Sequence, residues 1–179
     1  MADEIIRELD ATLTELIYVL SSFDEGELNI VPFEGSWTAG QVGEHLRKSY
    51  DGIGTLCLKT KQTERAPDQF VGEIKKTFLD FSTKLKSPDF IIPDNKLYDK
   101  KELINSIETL SGQIRRVANT IDLSVTCVGF AFPVLGYLTT LEIIHFITYH
   151  TQRHIHQLKK IYQKVVQIKD TEPEKYLLF

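Results

Sequence analysis

Four stretches of this chain repeat apolar residues at steps of three and four, and that spacing admits little besides long amphipathic helices. Ile6, Leu9, Leu13, Leu16 and Leu20 form the first stripe. Val42, Leu46, Ser49, Ile53 and Leu56 mark the second. Leu103, Ile107, Leu110, Ile114, Val117 and Ile121 make a very regular third. The fourth runs through Ile147, His150, His154, Leu158, Ile161 and Val165. The stripes predict helices over residues 3–22, 39–61, 99–121 and 139–167. Val71, Ile74, Phe78, Phe81 and Leu85 predict an additional short helix between Pro67 and Pro88. Thr38 with Gln41, and Thr139 with Glu142, are capping-box pairs at two of the starts. Gly43, Gly52 and Gly54 weaken the second helix, either as a local bend or where packing or a ligand comes close. With almost no strand signal, the reading is all-α, a four-helix bundle.

At 179 residues the chain reads as one domain, 1–179, large enough for a substantial core. The net charge of −4, without a basic run, argues against nucleic acid as a partner. The acidic start, Met1-Ala2-Asp3-Glu4-Ile5, lacks the basic region and apolar core of a signal peptide. Residues 123–141 carry no charge, but Gly129, Pro133, Gly136 and several Ser and Thr interrupt them, so a buried loop is expected rather than a membrane span. A cytoplasmic protein follows. Cys57 and Cys127 are two isolated cysteines with no CxxC, expected as buried or half-buried reduced thiols. The tail ends Tyr176-Leu177-Leu178-Phe179, which could dock on its own bundle, join a homodimer, or fray in solvent.

His150 and His154 lie four residues apart, on one helical face and about 6 Å apart along the axis. They interrupt the fourth apolar stripe, so they face the core. His145 and His156 point roughly 140° and 160° away from them and belong at the surface or boundary. His45 falls on the inward side of the second helix. A lone buried histidine is usually a neutral core imidazole bonded to a neighbour. Three inward histidines on two helices instead offer three nitrogens to one ion.

Trp37-Thr38, Gln41-Val42 and His45-Leu46 resemble the Trp-Ser/Thr-x-x-Gln/Glu-Val-x-x-His-Leu signature of the DinB/YfiT-like superfamily. His150, Arg153, His154, Gln157 and Leu158 resemble the signature of its last bundle helix. Pro133, Gly136 and Thr139 are similar to the approach to that helix. The similarity covers most of the chain, strongly at the two histidine motifs and loosely between. At position 153 the chain has Arg where the family often has His, which leaves the His150–His154 pair intact. The resemblance implies an up-down-down-up bundle with a three-histidine divalent-metal site, its ligands His45, His150 and His154.

Three neutral imidazoles suit Zn²⁺ first, by frequency, with Ni²⁺, Co²⁺, Cu²⁺ or Fe²⁺ as alternatives. Three protein ligands leave a position open for water or a small-molecule substrate, as catalytic sites do. The family includes thiol-dependent S-transferases, so the resemblance favours activation of a low-molecular-weight thiol over hydrolysis by activated water. A non-catalytic, metal-stabilised bundle is the third reading. No carboxylate is placed as general base by spacing: Glu44 diverges from His45, and Glu142 reads as a helix N-terminal charge. Gln157 reads equally as an orienter or a boundary residue. Arg153 is expected as a solvated surface side chain, and Trp37 as a staple on the second helix. Metal affinity is expected to fall through roughly pH 6 to 5, as protons compete for the imidazoles.

Overall fold

The computed structural model describes residues 2–171. The apolar tail 176–179, read above as docking on the bundle, joining a homodimer or fraying, lies outside the described residues. Among these residues six α-helices follow in order: α1 (Ala2–Ser21), α2 (Ala39–Tyr50), α3 (Ile53–Leu56), α4 (Val71–Leu79), α5 (Lys100–Thr120) and α6 (Thr140–Thr171). The strands among the described residues are β1 (Thr60–Lys61) and β2 (Thr126–Cys127), paired antiparallel with Thr60 opposite Cys127.

α1, α2, α5 and α6 build the bundle, and residue pairs fix their directions. Lys100, at the start of α5, donates to the Ser21 and Phe23 carbonyls at the end of α1, and Arg115 pairs with Asp10. Those two helices are therefore antiparallel. Gln152 bonds Glu8 and Lys159 pairs with Glu15, so α6 runs parallel to α1. Gly43 of α2 lies against Leu103 and Gly54 of α3 against Gln113, so α2 with its continuation α3 runs parallel to α5. The order is up-down-down-up, as the resemblance implied. α1 and α2 each pack between α5 and α6. Leu9, Leu13, Leu16, Leu20, Val42, Leu46, Ile107, Ile114, Leu158, Ile161 and Val165 are buried between them, all members of the predicted stripes.

Two helices end earlier than the stripes predict. α2 stops at Tyr50 rather than running to residue 61. Gly52 adopts φ +82°, a left-handed conformation that glycine tolerates and other residues resist, and a single turn, α3, resumes beyond it. The bend reading of the glycines thus holds at Gly52. Gly43 instead marks close packing, since a Cβ there would sit 2.8 Å from the Leu103 side chain.

α4 ends at Leu79, leaving Phe81 and Leu85 exposed. Asp80 accepts from the Ser82 amide and from the Ser82 and Thr83 hydroxyls, turning the chain. Arg153 on α6 donates to the carbonyls of Phe78, Asp80 and Thr83. It therefore caps the end of α4 and is not a solvated surface side chain.

At the head of α6 the predicted capping box is present. Glu142 does more than favour the helix terminus. It is fully buried, holds Arg65 through two hydrogen bonds of 2.7 and 2.6 Å, and accepts from the Phe70 amide. The Arg65 guanidinium also lies over the Phe70 ring at 4.5 Å. One carboxylate therefore ties the α3–α4 connection to α6.

Candidate metal centre

The site forms where α2 and α6 cross. Thr38 and Gln41 close a full capping box at the start of α2, which sets the helix two turns before His45. At the end of α2, the buried Tyr50 hydroxyl bonds Thr151 Oγ1 at 2.5 Å, and Thr151 donates to the Ile147 carbonyl. This contact pins α2 to α6 beside the histidines. Burial pushes the Tyr50 hydroxyl pKa well up, so the phenol stays protonated.

His45, His150 and His154 converge through their Nε2 atoms. The His150 Nε2 lies 3.1 Å from that of His45 and 3.1 Å from that of His154. Nitrogens of a tetrahedral Zn²⁺ site stand about 3.3 Å apart at the usual metal–nitrogen distance. All three residues are buried.

Two rings are anchored from behind. His45 Nδ1 meets the Ile91 carbonyl at 3.0 Å, so it carries the proton and donates. His154 Nδ1 meets Gln157 Oε1 at 2.9 Å in the same sense. Both arrangements leave Nε2 as a bare lone pair directed at the cluster. His150 Nδ1 is buried without a hydrogen-bond partner. Its ring is enclosed by Phe78 and Phe146, each with its centroid 5.4 Å away. Trp37 stands 5.2 Å from the His45 ring, lining the cluster beyond the staple role the sequence suggested.

Electrostatics agree with the tautomers. Desolvation lowers the pKa of His45, and bonding to Ile91 only partly offsets it. Desolvation pushes His154 down to about 3. His150 is held well below the ordinary range, first by burial and then by the neighbouring imidazoles and Arg153. The rings are thus neutral at neutral pH. With at most one proton to share among three facing nitrogens, the cluster is short of hydrogen, and a cation fits it better than further hydrogen bonding does. The residues present fit a divalent metal.

The other histidines stay apart, as their angles predicted. His145 Nδ1 bonds the Tyr149 hydroxyl at 3.1 Å, and His156 stacks on Phe81 at 4.2 Å. Glu44 is taken up by Arg47 through bonds of 2.7 and 3.0 Å. Among the described residues, the groups close enough to share an ion with one another here are the three histidines alone. Sequence reasoning missed Ile91, Tyr50 and Phe146. Tyr50 carried a readable signal, since it follows Val42 and Leu46 at steps of four. The Ile91 carbonyl, in the short 3₁₀ turn Asp89–Ile91, carried none.

A bundle in this order, with buried imidazoles joining its second and last long helices, defines a DinB/YfiT-like fold. The chain aligns with the uncharacterized protein YuaE of Bacillus subtilis (strain 168), 25% identical over 150 residues, covering 82% of this chain and 90% of that one. Its structure superposes on YfiT from Bacillus subtilis with a TM-score of 0.60 and 16% identity, covering 92% of this chain and 87% of that one. YfiT is described as a probable metal-dependent hydrolase with an unusual four-helix bundle topology. The model of the DinB superfamily matches residues 8–158, and the chain belongs to that superfamily.

Proposed function

We propose that this protein is a divalent-metal-dependent enzyme acting on a small molecule, with the ion held by Nε2 of His45, His150 and His154. The convergence of three Nε2 atoms, two of them held as lone pairs by bonds from Nδ1, carries the reading. The description of YfiT as a probable metal-dependent hydrolase supports the metal and, for the reaction, favours hydrolysis. When bound, the ion acts as a Lewis acid that lowers the pKa of a thiol or water at its open position.

Within that reading, the favoured reaction is transfer of a low-molecular-weight thiol to an electrophile. The three ligands are neutral, so a divalent ion brings two uncompensated positive charges into a wall of Trp37, Phe78 and Phe146. An anionic donor offsets that charge. Sulfur sheds its hydration more easily than hydroxide and suits Zn²⁺ equally well. Hydrolysis is the second reading, favoured by YfiT. Zn²⁺ is the expected metal on the donor set, and Ni²⁺ the nearest alternative.

The test is metal analysis of protein purified without added metal, followed by assays on the same sample. Turnover of an activated aryl halide with a panel of low-molecular-weight thiols, lost on chelation and in His45→Ala, supports thiol transfer. Chelator-sensitive cleavage of ester probes with no thiol turnover selects the hydrolase. A full metal complement that raises the melting temperature with neither activity leaves a metal-stabilised bundle. Metal-free protein that takes up no Zn²⁺ or Ni²⁺ ends the proposal.

A further inference from the structure

Cys57 and Cys127, the two cysteines of the chain, stand apart from the histidine cluster and have no part in the function proposed above. The sequence reads them as buried or half-buried reduced thiols, 70 residues apart, and both are buried. The fold also brings them face to face, with Sγ atoms 2.9 Å apart. The Thr140 hydroxyl, at 3.4 Å from Cys127 Sγ, is a further polar contact of the pair.

The backbone around the pair is registered on both sides. Cys127 sits in β2 opposite Thr60 of β1, and the Val128 amide donates to the Lys59 carbonyl at 2.8 Å. Gly129 lies so close to α3 that a Cβ there would sit 2.8 Å from the Leu56 carbonyl oxygen. On its other side, the Cys127 amide donates to the Leu138 carbonyl. The two segments are therefore zipped together immediately after each cysteine, which holds the two side chains next to one another. Hydrogen bonding to Cys57 lowers the Cys127 thiol pKa, while the same contact and burial raise that of Cys57.

We propose that Cys57 and Cys127 form a reversible dithiol–disulfide site whose oxidant is a low-molecular-weight disulfide. The thiolate of Cys127 attacks one sulfur of RSSR, forming a mixed disulfide and releasing RS⁻. The Cys57 thiolate then attacks the Cys127 sulfur, closing the Cys57–Cys127 bond and releasing the second RS⁻. The two protons are taken up by the departing thiolates, so two cysteine thiols and RSSR become one protein disulfide and two RSH. The buried sulfurs are reached by opening of α3, a single turn hung on the left-handed Gly52.

The closed bond staples α3 to the base of the 123–138 segment. That segment carries Phe132, which packs on Phe146, the residue stacked on His150. Closing a chain loop of this length raises the melting temperature by on the order of 10 °C if the native geometry is unstrained.

The experiment equilibrates chelator-treated full-length protein in glutathione buffers of increasing glutathione disulfide content. Acid quenching and alkylation under denaturing conditions follow, then intact mass and peptide mapping. Expected is concerted loss of both thiols in monomeric chain, a cross-linked Cys57–Cys127 peptide, and a higher melting temperature that reductant reverses. Cys57→Ser is expected to stop at a glutathione adduct on Cys127. Two alkylated thiols persisting in the most oxidising buffer, even after brief warming to open α3, overturn the proposal. So does an adduct that persists in the wild type, or a disulfide found only between chains. The wild-type mapping decides the matter even if Cys57→Ser does not fold.

Discussion

At the level of single residues, the three histidines make separable demands. Replacing His45, His150 or His154 by Ala should abolish stoichiometric Zn²⁺ retention after gel filtration, while His145→Ala and His156→Ala should retain it. Gln157→Leu keeps all three proposed ligands but frees the His154 ring. It should weaken metal affinity by about tenfold or more in a competition titration with a chromogenic chelator. His150→Leu separates function from packing. It removes a buried, unpartnered Nδ1 along with a proposed ligand, so it should lose metal yet raise the melting temperature of the metal-free protein. A drop in that temperature would show His150 to be an ordinary core side chain.

The same residues set a pH dependence. All three histidine pKa values are lower folded than unfolded, so the unfolded chain binds more protons. Metal-free stability should therefore be full above about pH 6.5 and decline towards about pH 3, the range between the free value and that of His154. Melts of chelated protein between pH 6.5 and 5 separate this slope from that of the carboxylates, most of which stay ionised there. His145→Ala and His156→Ala remove the share of the two other histidines, whose pKa values burial also lowers. A flat profile would mean that the rings are not held neutral. The lowered values also move proton competition for the metal below the window of pH 6 to 5 expected from unperturbed histidine.

Among the elements, the stripes were legible and the stops were not. The periodicity of α1, α5 and α6 could be read directly because their burial is dictated by neighbouring helices along their whole length. The second stripe stays in phase through Ile53 and Leu56, so hydrophobic pattern alone carries the helix past Tyr50. The interruption lies in the backbone of Gly52. Phe81 and Leu85 continue the α4 pattern in the same way, while the stop is enforced by Asp80 and by Arg153 from 73 residues away. The histidine cluster was readable because spacing on a helix encodes direction. Its outer support was only half readable: Gln157 has a side chain to notice, whereas Ile91 contributes a carbonyl from an irregular segment. One substitution tests the stop at Gly52, and a second tests the tie between the α3–α4 connection and α6. Gly52→Ala must adopt the left-handed conformation and should cost on the order of 1 kcal/mol in denaturant unfolding. Arg65→Ala strands the buried Glu142 carboxylate and should cost about 3 kcal/mol, well beyond a surface ion pair.

For the molecule as a whole, topology decides which helices meet. α2 and α6 are consecutive neither in sequence nor along the bundle connections, yet they share the candidate centre. No helix among the described residues is long and apolar enough to cross a membrane. Extensive burial in α1, α5 and α6 gives the bundle a core independent of metal. Removing the ion should therefore lower the melting temperature without unfolding the chain, and adding Zn²⁺ should restore it in proportion to the logarithm of free metal.

The distance along the chain between His45 and His150, 105 residues, has a kinetic meaning as well. The donor set does not exist until α6 has folded back against α2, which closes one of the longest loops the topology contains. An ion that recognises only this arrangement binds after the folding barrier has been crossed. It leaves the refolding rate nearly unchanged and slows escape from the native state. Loaded with metal, such a protein behaves as a latch set last, and its lifetime under proteolysis or heat becomes a measure of free metal around it.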